Sequence, residues 1–307
     1  MKRFYSHGKL LISGEYVVLD GALALAVPTK FGQSLKVETI SDTQIIWESL
    51  DNRGQVWFKD EFLIKNTILQ SASPENDISQ RLLQILNTAK QLNPYFLNSE
   101  SGFKITTALD FPKNWGLGTS STLINNIAQW AGINAYTLLE KTFGGSGYDI
   151  ACAQNDTAIT YQLQNGQPAI SPVAFNPTFK EHLYFVHLNR KQNSRAGITY
   201  YNSNKTNLSS VISEIKSLTS QILVCSGLSE FKNLLHLHET IIARVTKQQT
   251  IKSLFFSNFK GSIKSLGAWG GDFILVAHEV NPVNYFKSKG FNTVIPYSKM
   301  MLSYADD

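Results

Sequence analysis

Cysteine is scarce in this chain: Cys152 and Cys225 are the two present in 307 residues. A disulfide framework is therefore not what holds it together, and both thiols, set among apolar neighbours, are expected to be buried and free in a reducing compartment. Long apolar runs are missing as well. No stretch reaches the eighteen or more residues of a membrane span, and Ser13, Gly14 and Glu15 interrupt the first apolar stretch too early for an export signal. The expectation is a soluble cytoplasmic protein with no membrane partner. Excess charge of one sign is also small, 28 Lys and Arg against 23 Asp and Glu for a net +5. Because the basic residues are scattered, no nucleic-acid partner is expected, whereas a small anionic ligand is compatible. The six histidines fall at no ligand spacing: His236 and His238, two apart on a helix, face different ways. There is no Gly-x-x-x-x-Gly-Lys-Ser/Thr run, no Gly-x-Gly-x-x-Gly opening a βαβ unit and no Gly-x-Ser-x-Gly elbow. If a nucleotide is bound, neither common phosphate loop binds it.

What is present is a chain with 43% hydrophobic residues, long enough for two joined domains. The first third reads as antiparallel sheet. Strands are expected at 10–12, 16–19, 22–27, 34–40, 45–49, 55–59 and 62–69, punctuated by Gly14, Gly21, Pro28, Gly32 and the turn 51–54. The period then changes. Ile78, Leu82, Leu83, Ile85 and Leu86 share one face of a helix over 77–90 that Asn93-Pro94 ends. A strand follows at 102–109, then helices at 122–131 and 135–141 and a strand at 157–163. Beyond residue 172 the pattern predicts a strand at 183–188, helices at 209–218 and 229–246, and a buried strand at 273–277. The reading is an α+β protein with domains 1–171 and 172–307 meeting at glycine-bearing loops.

Four stretches carry the candidate chemistry. In "SHGKLLISGEYVVLDG", residues 6–21, Lys9 and Glu15 punctuate an apolar segment, and a buried charge needs a partner from elsewhere in the fold or from a ligand. In "GLGTSS", Gly116, Leu117, Gly118, Thr119, Ser120 and Ser121 bring free backbone N–H groups and hydroxyls together where a helix begins. That suits phosphate and offers an oxygen to Mg²⁺; a capped helix after a loop is the plainer alternative. In "GGSGYDIA", residues 144–151, Asp149 follows three glycines at a helix start. There it can cap the helix or orient a hydroxyl and accept its proton. In "GAWGGD", residues 267–272, Gly270 and Gly271 suit close backbone approach to a phosphate tail or substrate, while Trp269 most simply packs the turn.

In this order the stretches resemble the GHMP kinase superfamily, the group of galactokinase, homoserine kinase, mevalonate kinase and phosphomevalonate kinase. The first family motif matches "HGKLLISGEYVVLDGALALAVP", with His7 in place of the usual proline. The phosphate loop matches "PKNWGLGTSSTL", and the last glycine motif matches "GAWGGD", with Trp269 in place of a glycine. The resemblance spans most of the chain and implies a two-domain GHMP kinase fold with its active site in the cleft between the domains. It implies ATP along residues 116–121, Mg²⁺ held by Ser120 and by Glu140, Asp149 and Lys9 as catalytic residues, and Glu15 at the substrate site. "NRKQNSRAG", residues 189–197, is similar to the substrate segment of mevalonate-type kinases and assigns Ser194 and Arg195 to the acceptor, with Lys191 as a further cation and Gly270 beside it. "GSGYD" is instead most similar to phosphomevalonate kinases. The implied function is phosphoryl transfer from ATP to an anionic isoprenoid precursor, with mevalonate favoured over phosphomevalonate because the chain is compact and mildly basic. Diphosphomevalonate decarboxylase, a sugar or homoserine kinase and a non-catalytic binding protein remain as alternatives, and monomer and homodimer are both open.

Overall fold

In a computed structural model, the structure describes residues 1–65, 68–98 and 101–302. Along the chain come β1 (Lys2–Ser13), β2 (Ala24–Ile40), β3 (Gln44–Leu50), β4 (Val56–Lys65) and β5 (Ile68–Ser71), then α1 (Asp77–Leu92) and β6 (Gly102–Leu109). Three helices follow, α2 (Thr119–Ala131), α3 (Ala135–Thr142) and α4 (Tyr148–Ala153), and then the strands β7 (Ile159–Gln164), β8 (Gln167–Pro172) and β9 (Leu183–His187). The remainder is α5 (Ser194–Asn204), α6 (Ser209–Val224), α7 (Leu228–Thr246), α8 (Ile251–Phe255), β10 (Ser262–Ser265), β11 (Phe273–Ala277), α9 (Val283–Ser288), β12 (Val294–Pro296) and α10 (Tyr297–Met300).

These elements form two compact units interleaved in sequence. The first comprises Met1–Gly8, Phe31–Lys113 and Leu117–Gln154; the second comprises Lys9–Lys30, Asn114–Gly116 and the chain from Asn155 onward. In the first unit the strand order is β5-β4-β3-β6-β2. Its β3–β6 pair is parallel and the other pairs are antiparallel. Alternation turns Leu35, Val37, Ile45, Trp47, Phe58, Phe62 and Ile105 into a core shared with Leu82, Ile85, Leu86, Ile124, Ile127, Leu138 and Leu139 of the helices, the two periods that the sequence displays. In the second unit, Ala24–Ala26 of β2 pair with β7, and β7 with β8. A separate antiparallel sheet runs β10-β11-β9-β12. Its strands β9 and β11 are buried along their whole length, and a second core gathers Val186, Ile274 and Val276 with Phe256, Phe259 and Phe286.

The structure departs from these expectations in several places. The strands expected at 22–27 and 34–40 are one continuous strand, β2, in which Pro28 and Gly32 fall between the stretch paired with β7 and the stretch paired with β6. Residues 16–19 are not a strand: Tyr16 sits at φ 62° and Val17–Asp20 close a 3-10 turn, because Val17 and Val18 bury themselves on consecutive positions rather than alternately. The expected strand 62–69 divides between β4 and β5, which pair with each other, and residues 66 and 67 lie outside the described residues. The polar segment after residue 193 is a helix, α5, which buries only Tyr201 and so lacks the apolar stripe that reveals a helix. Cys152 and Cys225 are buried and neither is in a disulfide. No helix among the described residues is long and apolar enough to cross a membrane.

Helix α2 is oriented by a buried polar network. Ser6 Oγ donates to Asn126 Oδ1 at 2.8 Å, Asn125 Nδ2 donates to Ser6 Oγ at 2.9 Å, Asn126 Nδ2 donates to the Gln33 carbonyl at 2.9 Å, and Thr122 Oγ1 donates to Gln33 Oε1 at 2.7 Å. Polar groups in a core fix one arrangement because any other leaves donors or acceptors unmet. Asn126→Ala orphans the Ser6 hydroxyl proton and the Gln33 carbonyl. It is expected to cost about 2–4 kcal/mol, read as a lower urea midpoint, and a loss under 0.5 kcal/mol would show that the network does not hold α2.

Candidate functional site

In the first unit, Leu117–Ser121 lead into and open α2, Glu140 is exposed on α3, and Asp149 is half-buried in the first turn of α4. Both α3 and α4 pack against α2. The caps distinguish these helices. Asn76, Asn134 and Asn193 each accept two backbone N–H groups at the starts of α1, α3 and α5, whereas α2 and α4 begin on glycines in the left-handed conformation, Gly118 at φ 97° and Gly147 at φ 88°, without a side-chain cap. A residue with a Cβ is disfavoured at that φ, so the sequence gives up a capping side chain to make the turn. The first N–H groups of α2 thereby point outward with the positive end of the helix dipole behind them. Ser121 Oγ donates back to the Gly118 carbonyl at 2.8 Å and tightens the turn, while Ser120 is exposed.

The second unit collects the other predicted residues and adds several. Lys9 Nζ donates to the Gly116 carbonyl at 3.3 Å. The turn 267–272 carries Gly270, and the chain at 188–192 is laced onto it: Asp272 N–H donates to the Arg190 carbonyl at 2.8 Å, Leu188 N–H to the Asp272 carbonyl at 2.8 Å, and Gln192 Nε2 to the Trp269 carbonyl at 2.8 Å. Lys191, Ser194 and Arg195 are exposed along and just beyond that segment, where Asn193 caps α5 by accepting the N–H groups of Arg195 and Ala196 at 3.1 and 3.3 Å. Trp269 is buried; its indole N–H donates to the Gln249 carbonyl and its backbone N–H to Tyr16 Oη, both at 2.9 Å. The Tyr16 ring stacks on Tyr201 of α5 at 5.5 Å. Trp269 therefore fills space under the turn, as expected.

Glu15 is enclosed. Its carboxylate accepts from Lys264 Nζ, and both side chains are fully buried. Glu239 stands beside the same ammonium at 4.0 Å and accepts from Ser265 N–H at 3.0 Å and Ser265 Oγ at 3.3 Å. His238 Nε2 accepts the Gly14 N–H at 2.9 Å, so the ring proton is on Nδ1. Burial, reinforced by Lys264, holds the imidazole neutral, well below its usual range, and its 3.4 Å approach to Glu15 is not an ion pair. Burial raises the Glu15 carboxyl, with Lys264 opposing it. It also raises Glu239 from 4.5 to about 8, again against Lys264 and with Glu15 adding to the rise. One ammonium thus faces two carboxyl groups, and burial pushes both toward the protonated form.

Lys264, Tyr16, His187 and Asp272 are absent from the sequence-based site. Lys264 had a signal, a lysine inside the strand immediately before the last glycine motif; His187 and Asp272 had none beyond their places beside a strand and a turn. Among the described residues no group of three or more His, Cys, Asp and Glu side chains is placed to hold a metal ion.

A folded-state pKa above the ordinary value means that Glu239 stabilises the fold in its neutral form. That contribution is complete below about 4.5 and is lost as pH rises through about 8. Wild type is therefore expected to lose melting temperature between pH 5.5 and 8 relative to Glu239→Gln, which keeps the neutral hydrogen bonding; parallel profiles for the two would show that Glu239 is ionised throughout.

No protein-family sequence profile matches the chain. No curated protein matches it by sequence either. Solved structures do. A mevalonate kinase from L. major in complex with R-mevalonate has a TM-score of 0.69 at 13% identity, covering 99% of this chain and 97% of that one. A Streptococcus pneumoniae phosphomevalonate kinase bound to phosphomevalonate and AMPPNP has a TM-score of 0.69 at 14% identity, covering 99% of both chains. A Lactococcus lactis galactokinase complexed with galactose has 0.68 at 13%, covering 98% and 95%. At these identities the likeness is one of fold, and the chain has the mixed α+β fold of the mevalonate, phosphomevalonate and galactose kinases along its whole length.

Proposed function

We propose that this protein is an ATP-dependent small-molecule kinase acting on an anionic isoprenoid precursor, mevalonate before phosphomevalonate. The observation that carries the reading is the glycine-capped start of α2, whose N–H groups are left without a side-chain acceptor in a chain with this fold. Residues 116–121 bind the nucleotide phosphates through backbone N–H groups. Ser120 and Glu140, both exposed, supply hard oxygen donors of the kind Mg²⁺ takes. When bound, ATP and Mg²⁺ supply the phosphoryl group and neutralise the charge that builds on it. Asp149, in the first turn of α4, orients the acceptor hydroxyl and takes its proton. Lys9 offsets charge near the acceptor, and Ser194, Arg195 and Lys191 hold its anionic end. Positioning and fixed charge account for most of the acceleration in such a site.

Galactokinase shares the fold as closely as the isoprenoid kinases do, so the acceptor is decided by assay. Phosphate transfer from ATP to mevalonate, phosphomevalonate, galactose and homoserine, with carbon dioxide release from diphosphomevalonate, is expected to show mevalonate or phosphomevalonate as the preferred substrate. Turnover confined to galactose or homoserine would sink the isoprenoid reading. Absence of turnover with any of them would favour a binding protein.

Two variants separate chemistry from binding. Asp149→Asn is expected to lower turnover about a hundredfold or more with the melting temperature and ATP affinity retained, and near-normal turnover would remove Asp149 from the mechanism. Arg195→Ala is expected to raise the acceptor KM about tenfold or more while the ATP KM holds. Unchanged acceptor kinetics would withdraw Arg195.

A further inference from the structure

Asp272 is a buried carboxylate that the reaction outlined above does not use, and its setting is unusual for a turn residue. Its backbone is left-handed at φ 52°, a region few residues with a Cβ adopt. Two backbone hydrogen bonds hold it there, its N–H to the Arg190 carbonyl and its carbonyl from Leu188 N–H, each at 2.8 Å. The side chain is directed at the phosphate-loop glycine. A Cβ placed on Gly116 would lie 2.3 Å from the Asp272 carboxyl carbon and 2.4 Å from Oδ2. That overlap and φ 70° at Gly116 each demand glycine there.

The segment Asn114–Gly116 is gripped from two other sides. His187, buried, accepts Asn189 N–H at Nδ1 (3.3 Å), so its Nε2 carries the proton and donates to the Asn114 carbonyl at 3.1 Å. Lys9 donates to the Gly116 carbonyl. Burial raises the Asp272 carboxyl, while Lys9, Gln192 N–H at 3.3 Å, His187 and Lys191 oppose the rise. The groups acting on it are thus two lysines, an imidazole and a backbone N–H.

We propose that Asp272 is a positioning residue for the phosphoryl transfer described above: packed against Gly116 and facing Lys9, it sets where the phosphate loop begins and where the Lys9 ammonium stands. This rests on the kinase reading and extends it to a residue to which that reading gives no contact with either substrate. Its electrostatic signature is particular. A carboxylate beside an anion site opposes anion binding, so its role is to place Lys9 and the loop at some expense of phosphate affinity. Removing the charge while keeping the shape is therefore expected to move affinity and turnover in opposite directions, which damage to the fold would not do.

The decisive comparison uses Asp272→Asn, since Asn also tolerates the left-handed backbone. Binding of inorganic tripolyphosphate with Mg²⁺ is measured by calorimetry and turnover by ATP consumption with the preferred acceptor. The expected result is tripolyphosphate affinity equal to or above wild type together with turnover lower by about tenfold or more. Wild-type behaviour in both assays overturns the proposal, and so does a parallel fall of affinity and turnover accompanied by a lower melting temperature, which marks a merely structural residue. If wild type neither binds tripolyphosphate nor consumes ATP with any acceptor, the kinase reading falls and takes this proposal with it. The contact itself is tested by melting temperature alone: Gly116→Ala is expected to be destabilising, and adding Asp272→Gly to recover part of the loss. No recovery in the double variant would show that the carboxylate does not press on Gly116, and would overturn the proposal even where wild type is active.

Discussion

The second unit depends on the bond between Lys264 and Glu15. Taking an ammonium and a carboxylate out of water is costly, and their mutual attraction offsets that cost only with good geometry and further hydrogen bonds. Here Lys264 Nζ also donates to the Ser265 carbonyl at 2.8 Å, and Glu239 stands 4.0 Å away. Such a pair adds little net stability over an apolar substitute, yet losing one partner alone typically costs 3–5 kcal/mol because the other is left charged and buried. Its effect is to specify an arrangement. The strand that carries Lys264, β10, can settle only where Glu15 is waiting, and the turn at Gly14–Glu15 can close only where His238 accepts the Gly14 N–H.

Once β10 is placed, the turn that follows it is placed too. Leu266 N–H donates to the Phe273 carbonyl at 3.1 Å and closes the base of the 267–272 segment. Tyr16, next to Glu15, reaches the far side of that segment with its hydroxyl, which accepts the Trp269 N–H, and lays its ring on Tyr201. Tyr201 in turn donates to Asp20 at 2.7 Å, where Lys205 is also bound at 2.7 Å. The consecutive residues Glu15 and Tyr16 therefore determine the positions of three elements far apart in sequence: β10, the last glycine turn and α5. The strained φ of Tyr16 is what lets one residue face the ion pair and the next face the turn.

Much of this was legible in the sequence, and the rest was hidden for identifiable reasons. Periodicity located the core helices α1 and α7 because each buries one stripe, and glycine spacing located the loops at 116–121, 144–147 and 267–271. The demand that Lys9 and Glu15 have partners was legible as well, though not their identity. Lys264 lies 249 residues from Glu15, and no local pattern reports a contact at that separation. Residues 16–19 looked like a strand because three apolar residues follow an aromatic one, and only the backbone conformation of Tyr16 reveals a turn. Helix α5 escaped because it is held mainly by its Asn193 cap and by Tyr201 rather than by an apolar face. Asn193 was the available signal, an N-cap residue two places before Arg195.

The second unit carries two sets of charges, one buried and one exposed, with different physical consequences. Glu15, Lys264 and Glu239 are sealed inside, His238 is neutral, and Glu239 keeps its proton over much of the physiological range. The interior therefore adds almost nothing to the outward field. Lys191 and Arg195 stand exposed, four residues apart on either side of the α5 cap, with the start of that helix adding its own positive dipole. Charges in a low-dielectric interior fix geometry, while those facing water act on ions that diffuse up to them. Because Tyr16 and Tyr201 fasten α5 to the turn that Lys264 positions, the exposed Lys191 and Arg195 stand on a base set by the buried charges.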